Sequence, residues 1–176
     1  MPVSTIQNAS LASGVPSAAK LPTGTVLQVK YFQLTTAAST TSTSMTDTGL
    51  TVSITPTSAL NQILVMTNMS IGMGTNNVSG SFNFVRNSTT IGISTASTTV
   101  NFGTNVCVPN NNHIFAGTMM FLDSPATTSA TTYKVQWQAQ TGGYTLYMNR
   151  TPNLNGGTDT YQGGYTSSIT VMEIAV

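Results

Sequence analysis

Residues 132–138 read TYKVQWQ, with Tyr133, Val135 and Trp137 alternating with Lys134, Gln136 and Gln138. Successive strand side chains point to opposite faces, so the run predicts a strand with one buried and one wet face. Residues 114–122 (IFAGTMMFL) are the longest apolar run. Here both parities are largely apolar: Phe115, Gly117, Met119 and Phe121 on one, Ala116, Thr118, Met120 and Leu122 on the other. That suits a strand covered on both sides, by the core and by a neighbouring subunit. The connection between the two, residues 123–131 (DSPATTSAT), is rich in turn formers and predicts that they pair as an antiparallel hairpin.

The rest of the chain repeats the strand pattern. Leu27, Val29 and Tyr31 alternate with Gln28 and Lys30 after the turn formers of residues 21–24, and residues 35–44 are a Thr/Ser/Ala tract expected as a polar edge strand or loop. Leu50, Val52 and Ile54 alternate with hydroxyl residues until Pro56, which cannot continue a ladder. Residues 61–71 are apolar on both faces and form the second candidate for a central strand. Beyond a turn cluster, Phe82 and Phe84 are expected inward on a strand at 81–86, and Asn87-Ser88 turns the chain into a strand at 89–93. Residues 94–113 read as irregular, anchored by Phe102, Val106 and Val108. Gly142-Gly143 marks a tight turn into a strand at 144–150, residues 151–164 a Gly/Asn/Thr loop, and residues 167–175 a closing strand. Eight or nine strands without a helical pattern predict an all-β chain. A jelly-roll-like antiparallel β-sandwich is favoured over an immunoglobulin-like one, because Trp137 has no cysteine pair to pack against. Residues 1–23 differ: Ala, Ser and Pro dominate around isolated Val3, Ile6, Leu11 and Val15. They predict an extended N-terminal arm, an anchoring peptide that orders only against another protein set against a disordered tail, ahead of a sandwich domain over 24–176.

Composition narrows the function. Ser and Thr supply roughly thirty per cent of the 176 residues, whereas charged residues supply 5%, five basic and four acidic, against about a quarter in an average soluble domain. Hydroxyls and amides must wet this surface. With charges spread singly there is no footprint for nucleic acid and no polybasic face for a membrane. No apolar run approaches the 18 or so residues that would insert into a bilayer. Residues 1–14 lack the basic start and apolar block of a secretion signal. Cys107, between Val106 and Val108, is expected as a small buried apolar residue.

Chemistry-bearing residues are few. One histidine, one cysteine and four acids cannot form a histidine-based metal cluster, so no metal, cofactor or catalytic centre is expected. His113, after three asparagines, reads as a loop residue at a strand entrance. Asp123, before Ser124-Pro125, reads as a turn former bonding nearby backbone amides, and Glu173 has Lys134 or Arg150 as conceivable partners. Glycoside hydrolysis would need two of Asp47, Asp123, Asp159 and Glu173 brought together. Tyr144, Tyr147, Tyr161 and Tyr165, beside Asn and Gly, are a candidate platform for a sugar or a protein, set against ordinary strand packing.

Taken together and in order, LPTGTVLQV (21–29), DTGLTVSITPTS (47–58), ILVMT (63–67), FLDSPATTSATTYKVQ (121–136) and SSITVMEIAV (167–176) resemble a β-domain found in tail-fibre and other virion structural proteins of phages of cyanobacteria and marine bacteria. The Leu-Asp-Ser-Pro connection and the Met-Glu-Ile-Ala ending are the most specific parts, and residues 72–108 have no counterpart. The resemblance implies a virion component that binds copies of itself and other virion proteins, as capsid decoration or short tail fibre, with a host-surface glycan as a further contact. With no fibre shaft in the sequence, the chain is expected to bind its virion through residues 1–23 or through its own strands, with Val3, Ile6, Leu11 and Val15 of the arm as the expected anchor. The element order also resembles trimeric jelly rolls of the complement and tumour-necrosis-factor type, in which a late, doubly apolar strand lies near the threefold axis. That likeness implies a homotrimer whose subunit interface includes Phe115, Met119, Phe121, Met172 and Ile174. The alternative is a stand-alone carbohydrate-binding module built on the four tyrosines.

Overall fold

The computed structural model describes residues 21–97, 101–108, 113–152 and 163–176. Val3, Ile6, Leu11, Val15, Asp159 and Tyr161 lie outside the described residues. The described chain is all-β, two antiparallel sheets packed face to face. The first sheet contains β1 (Val26–Leu34), β2 (Ala38–Thr40), β4 (Gln62–Met73), β8 (Phe115–Asp123), β10 (Leu146–Met148) and β11 (Ser167–Ile174). The second contains β3 (Thr46–Ile54), β5 (Val78–Arg86), β6 (Thr89–Ile91), β7 (Thr104–Val108) and β9 (Thr131–Ala139).

β4, expected as central, is the spine of the first sheet. One of its edges takes β8, the other takes β11 and then β10, with β1 beyond β11 and β2 beyond β10. β5 plays the same part in the second sheet, with β9 on one side and β6 and β7 on the other. Side chains of alternating parity from both sheets fill the space between, among them Leu50, Ile63, Val65, Phe82, Val135, Trp137, Ile169 and Val171. The closeness of the layers shows at Gly80, where an added Cβ would lie 2.6 Å from Leu146 Cδ2. The β5–β6 hairpin turns at Asn87 (φ 53°) as expected.

Several expectations change. β8 and β9 do not pair: β8 lies on β4 in the first sheet, β9 between β3 and β5 in the second. The turn formers of 124–130 therefore carry the chain from one sheet to the other rather than closing a hairpin. Gly142-Gly143 does turn the chain, with Gly143 at φ 91°, but the short strand that follows pairs with β4 and β2, not with β9. The described residues hold eleven strands, because β7 emerges from the stretch read as irregular and three elements are only three residues long. Cys107 is exposed, since its neighbours Val106 and Val108 take the inward parity of β7.

Register gives the sandwich two unlike ends. Val26, Ile174 and Gln62 stand side by side, with Ile63 opposite Asp123 on the next strand. The start of β1, the start of β4 and the ends of β8 and β11 therefore share one end, where the described chain begins at Leu21 and Gly24 N–H donates to the Ala175 carbonyl. Exposed large apolar side chains gather here: Val26, Leu60 (76% exposed), Leu122 and Val176. The opposite end carries the described connections at 35–37, 74–77 and 140–145, built mainly from Thr, Gly and Asn.

Candidate functional site

The outward face of the first sheet carries two aligned rows of largely apolar side chains. Val29, Met172, Leu64 and Leu122 form one row across β1, β11, β4 and β8, and Tyr31, Thr170, Met66 and Met120 form the next. The rows span about 14 Å at roughly 4.8 Å per strand step. Met120 is 71% exposed, Val29, Tyr31 and Leu122 are exposed, and the central members are half-buried. Towards the far end the same face becomes polar and small-chained, with Gln33, Ser168, Asn68 and Thr118 aligned and then Ser70 beside Ala116. None of these outward positions on the four strands is Asp, Glu, Lys, Arg or His.

This arrangement turns three of the five expected interface residues, Phe115, Met119 and Phe121, towards the core. Met172 and Ile174 do point outward on β11 and remain half-buried. Met119 belongs to the core, and Phe115 and Phe121 pack against it. Their parity is fixed by Gly117, where a Cβ would lie 3.0 Å from Val106 Cγ2 of the other sheet. The free face of β8 is the one bearing Met120 and Leu122.

Beneath the apolar end, two buried carboxylates face inward on the same row, one on each side of Ile63. Glu173 is fully buried and pairs with neither Lys134 nor Arg150. Its Oε1 accepts from the Thr57 amide (2.7 Å), the Thr57 hydroxyl (2.8 Å) and Asn61 Nδ2 (2.7 Å), while its Oε2 accepts from Gln28 Nε2 (2.6 Å). Burial pushes this carboxyl up, but the donors of Asn61, Gln28 and Thr57 together outweigh it and hold its pKa below the ordinary value. The network fastens β1 and the β3–β4 connection to β11.

Asp123 is not the turn former expected of it. It continues the inward parity of Met119 and Phe121 and receives Arg86 Nη1 from the second sheet at 2.8 and 2.9 Å, with the Tyr133 hydroxyl at 2.6 Å. Burial first, and then the hydrogen bond to Asp123, push the Tyr133 phenol far above its ordinary pKa. Sequence reasoning missed this triad, although the parity of Asp123 with Phe121 and of Tyr133 with Trp137 points to it. Asp47 is exposed at the other end, where Lys134 Nζ (2.7 Å) and Gln136 Nε2 (2.8 Å) hold its carboxyl below the usual range. Asp47, Asp123 and Glu173 thus occupy three separate hydrogen-bond networks. Among the described residues no three of His, Cys, Asp and Glu gather as a metal would need, and no helix is long and apolar enough to cross a membrane.

The far end collects three of the four tyrosines. Tyr144 is exposed in the 140–145 connection, while Tyr147 on β10 and Tyr165 before β11 are half-buried. The Arg150 guanidinium lies 4.6 Å above the Tyr147 ring and covers one face of it. Asn149 organises this corner from a buried left-handed position (φ 64°). Its Nδ2 donates to the carbonyls of Leu34 and Thr36, its Oδ1 accepts from the Ser167 hydroxyl, and its carbonyl accepts from the Tyr165 amide. His113 is exposed just before β8. Neither a protein-family model nor a characterised protein sequence matches the chain.

Proposed function

We propose that this chain is a structural protein of a bacteriophage virion: a homotrimeric β-sandwich knob seated on the particle by the end from which residue 21 departs. The observation that carries the reading is the unlikeness of the two ends. Exposed Val26, Leu60 and Val176 lie at the end where the described chain begins at Leu21, and the described connections at the other end, 35–37, 74–77 and 140–145, expose no large aliphatic side chain. An apolar base with a polar crown suits a module attached below and displayed above, and large exposed apolar surface marks an interaction site. The carboxylates support the same reading, because Glu173 and Asp123 have their oxygens occupied by fold-fastening donors. The sequence resemblance to phage fibre and virion domains supplies the particle. Capsid decoration and a short tail fibre both fit.

In this reading residues 1–20 anchor the knob. Deleting them is expected to abolish incorporation into particles while leaving the β-sheet circular dichroism spectrum unchanged, and normal incorporation of the truncated chain would refute the anchor. A second role is favoured by the placement of Tyr144, Tyr147 and Tyr165 at the displayed end. Contact with a host-surface glycan there predicts that Tyr144→Ala weakens binding on a glycan array. A chain that binds no glycan removes that role and leaves the structural one standing.

A further inference from the structure

From the structure we infer that the outward face of the first sheet is where copies of this chain meet one another, with Leu64 and Met66 in the middle of the contact and Val29, Met120 and Leu122 towards its borders. The inference rests on the structural reading above and names the partner of one surface within it. The occupant is a second copy of the chain rather than a nucleic acid, a lipid surface or an unlike protein recognised through charge. Four adjacent strands present no Asp, Glu, Lys, Arg or His outward. Residues near a rotation axis meet their own copies, so any charge there would face its like, at a cost of several kcal/mol. A face emptied of charge across its whole width meets that demand.

Edge and area point the same way. The apolar rows amount to a few hundred Å², about the largest patch a monomer ordinarily exposes, while a stable interface takes about 800 Å² from each partner. The polar half of the face supplies the rest, because Ser70, Ala116, Thr118 and Ser168 are short and allow flat, close approach. β1, at one border of the face, carries a bulge and the exposed Lys30, features that keep an edge from pairing onward. β8, at the other border, runs its full length on β4 without a bulge and without proline, and its single charge, Asp123, turns inward. Met120 and Leu122, the two large apolar side chains most open on that strand, therefore stand at the unprotected margin where a sister copy can cover them.

The test is sedimentation velocity from 1 to 50 μM, roughly the range in which a specific homomer assembles, on the full chain and three single variants. Met120→Lys and Leu122→Lys place a charge on the face at positions already exposed, so the monomer fold survives. Leu60→Lys does the same at the apolar end, off the face. The inference expects an assembled wild type, an assembled Leu60→Lys, and face variants whose dissociation is shifted at least roughly 100-fold, as an unpaired charge buried in an apolar contact gives. An assembled wild type whose Met120→Lys and Leu122→Lys variants remain equally assembled would overturn this face and spare the structural reading. A wild type that stays monomeric at 50 μM would overturn both. A face variant that has lost its β-spectrum is replaced by Val29→Lys, which carries the same expectation.

Discussion

Replacing Glu173 probes the physical core of the account, because a fully buried carboxylate without a cation is stable only through its donors. Four hydrogen bonds converge on it, from the Thr57 amide, the Thr57 hydroxyl, Asn61 and Gln28. Glu173→Ala removes the acceptor and strands these donors inside the sandwich. Each unsatisfied buried donor costs about 1–3 kcal/mol and partial hydration recovers some of it, so a loss of about 3–5 kcal/mol is expected. Glu173→Gln keeps the shape but sets an NH2 group against one of the donors. Gln28 is the one least able to adapt, since its Nε2 also donates to the Thr55 carbonyl, and about 1–3 kcal/mol should be lost. The sign of the pH dependence follows from the depressed pKa of the folded state. The unfolded chain takes up its proton at the ordinary carboxyl value, the folded chain only below it. The stabilisation by the ionised form is therefore complete above the ordinary value and disappears as pH falls through the folded one. Urea denaturation of the wild type and Glu173→Gln at pH 7 and at pH 3 measures this. The two proteins should differ by at least 1 kcal/mol at pH 7 and by less at pH 3. A difference under about 0.5 kcal/mol at pH 7, or one that does not change with pH, would refute the reasoning.

Three further outcomes follow from individual contacts. Arg86→Met leaves Asp123 buried with only the Tyr133 hydroxyl. Thermal unfolding should fall by roughly 6–20 °C, since breaking a buried pair costs about 3–5 kcal/mol and each kcal/mol is about 2–4 °C at this chain length; an unchanged midpoint would contradict the triad. Gly72→Ala drives a Cβ into the carbonyl oxygen of Arg150, whereas Gly142→Ala meets open space. The first should cost about 1–3 kcal/mol and the second under about 0.5 in the same denaturation assay, and equal costs would contradict the packing of β10 on β4. The Cys107 thiol should react with iodoacetamide in the native protein without denaturant, because it points away from the core, and protection until unfolding would contradict the register of β7.

What the sequence disclosed and what it concealed have separate physical origins. Alternation located β3, β9 and β11, and the doubly apolar run at 61–71 correctly marked β4 as a central strand. Partner choice was hidden. The turn formers between β8 and β9 bend the chain equally well into a hairpin or across to the opposite sheet, and nothing local to Asp123-Ser124-Pro125 distinguishes the two. Facing on β8 was hidden for a related reason: with both parities apolar, only the contact of Gly117 with Val106 on the other sheet selects Met119 for the core and Met120 for the surface. Cys107 and Asp123 were legible and misread. The Val-Cys-Val alternation turns the cysteine outward once both valines are inward, and Asp123 shares its parity with Phe121. In both cases period-two geometry outweighs the habit of the residue type.

The central claim, that this sandwich works as an assembled structural part, is tested most directly by native mass spectrometry of the purified full-length chain at micromolar concentration. The account predicts a species at three times the 18.4 kDa chain mass. A stable species at the mass of a single chain would contradict it.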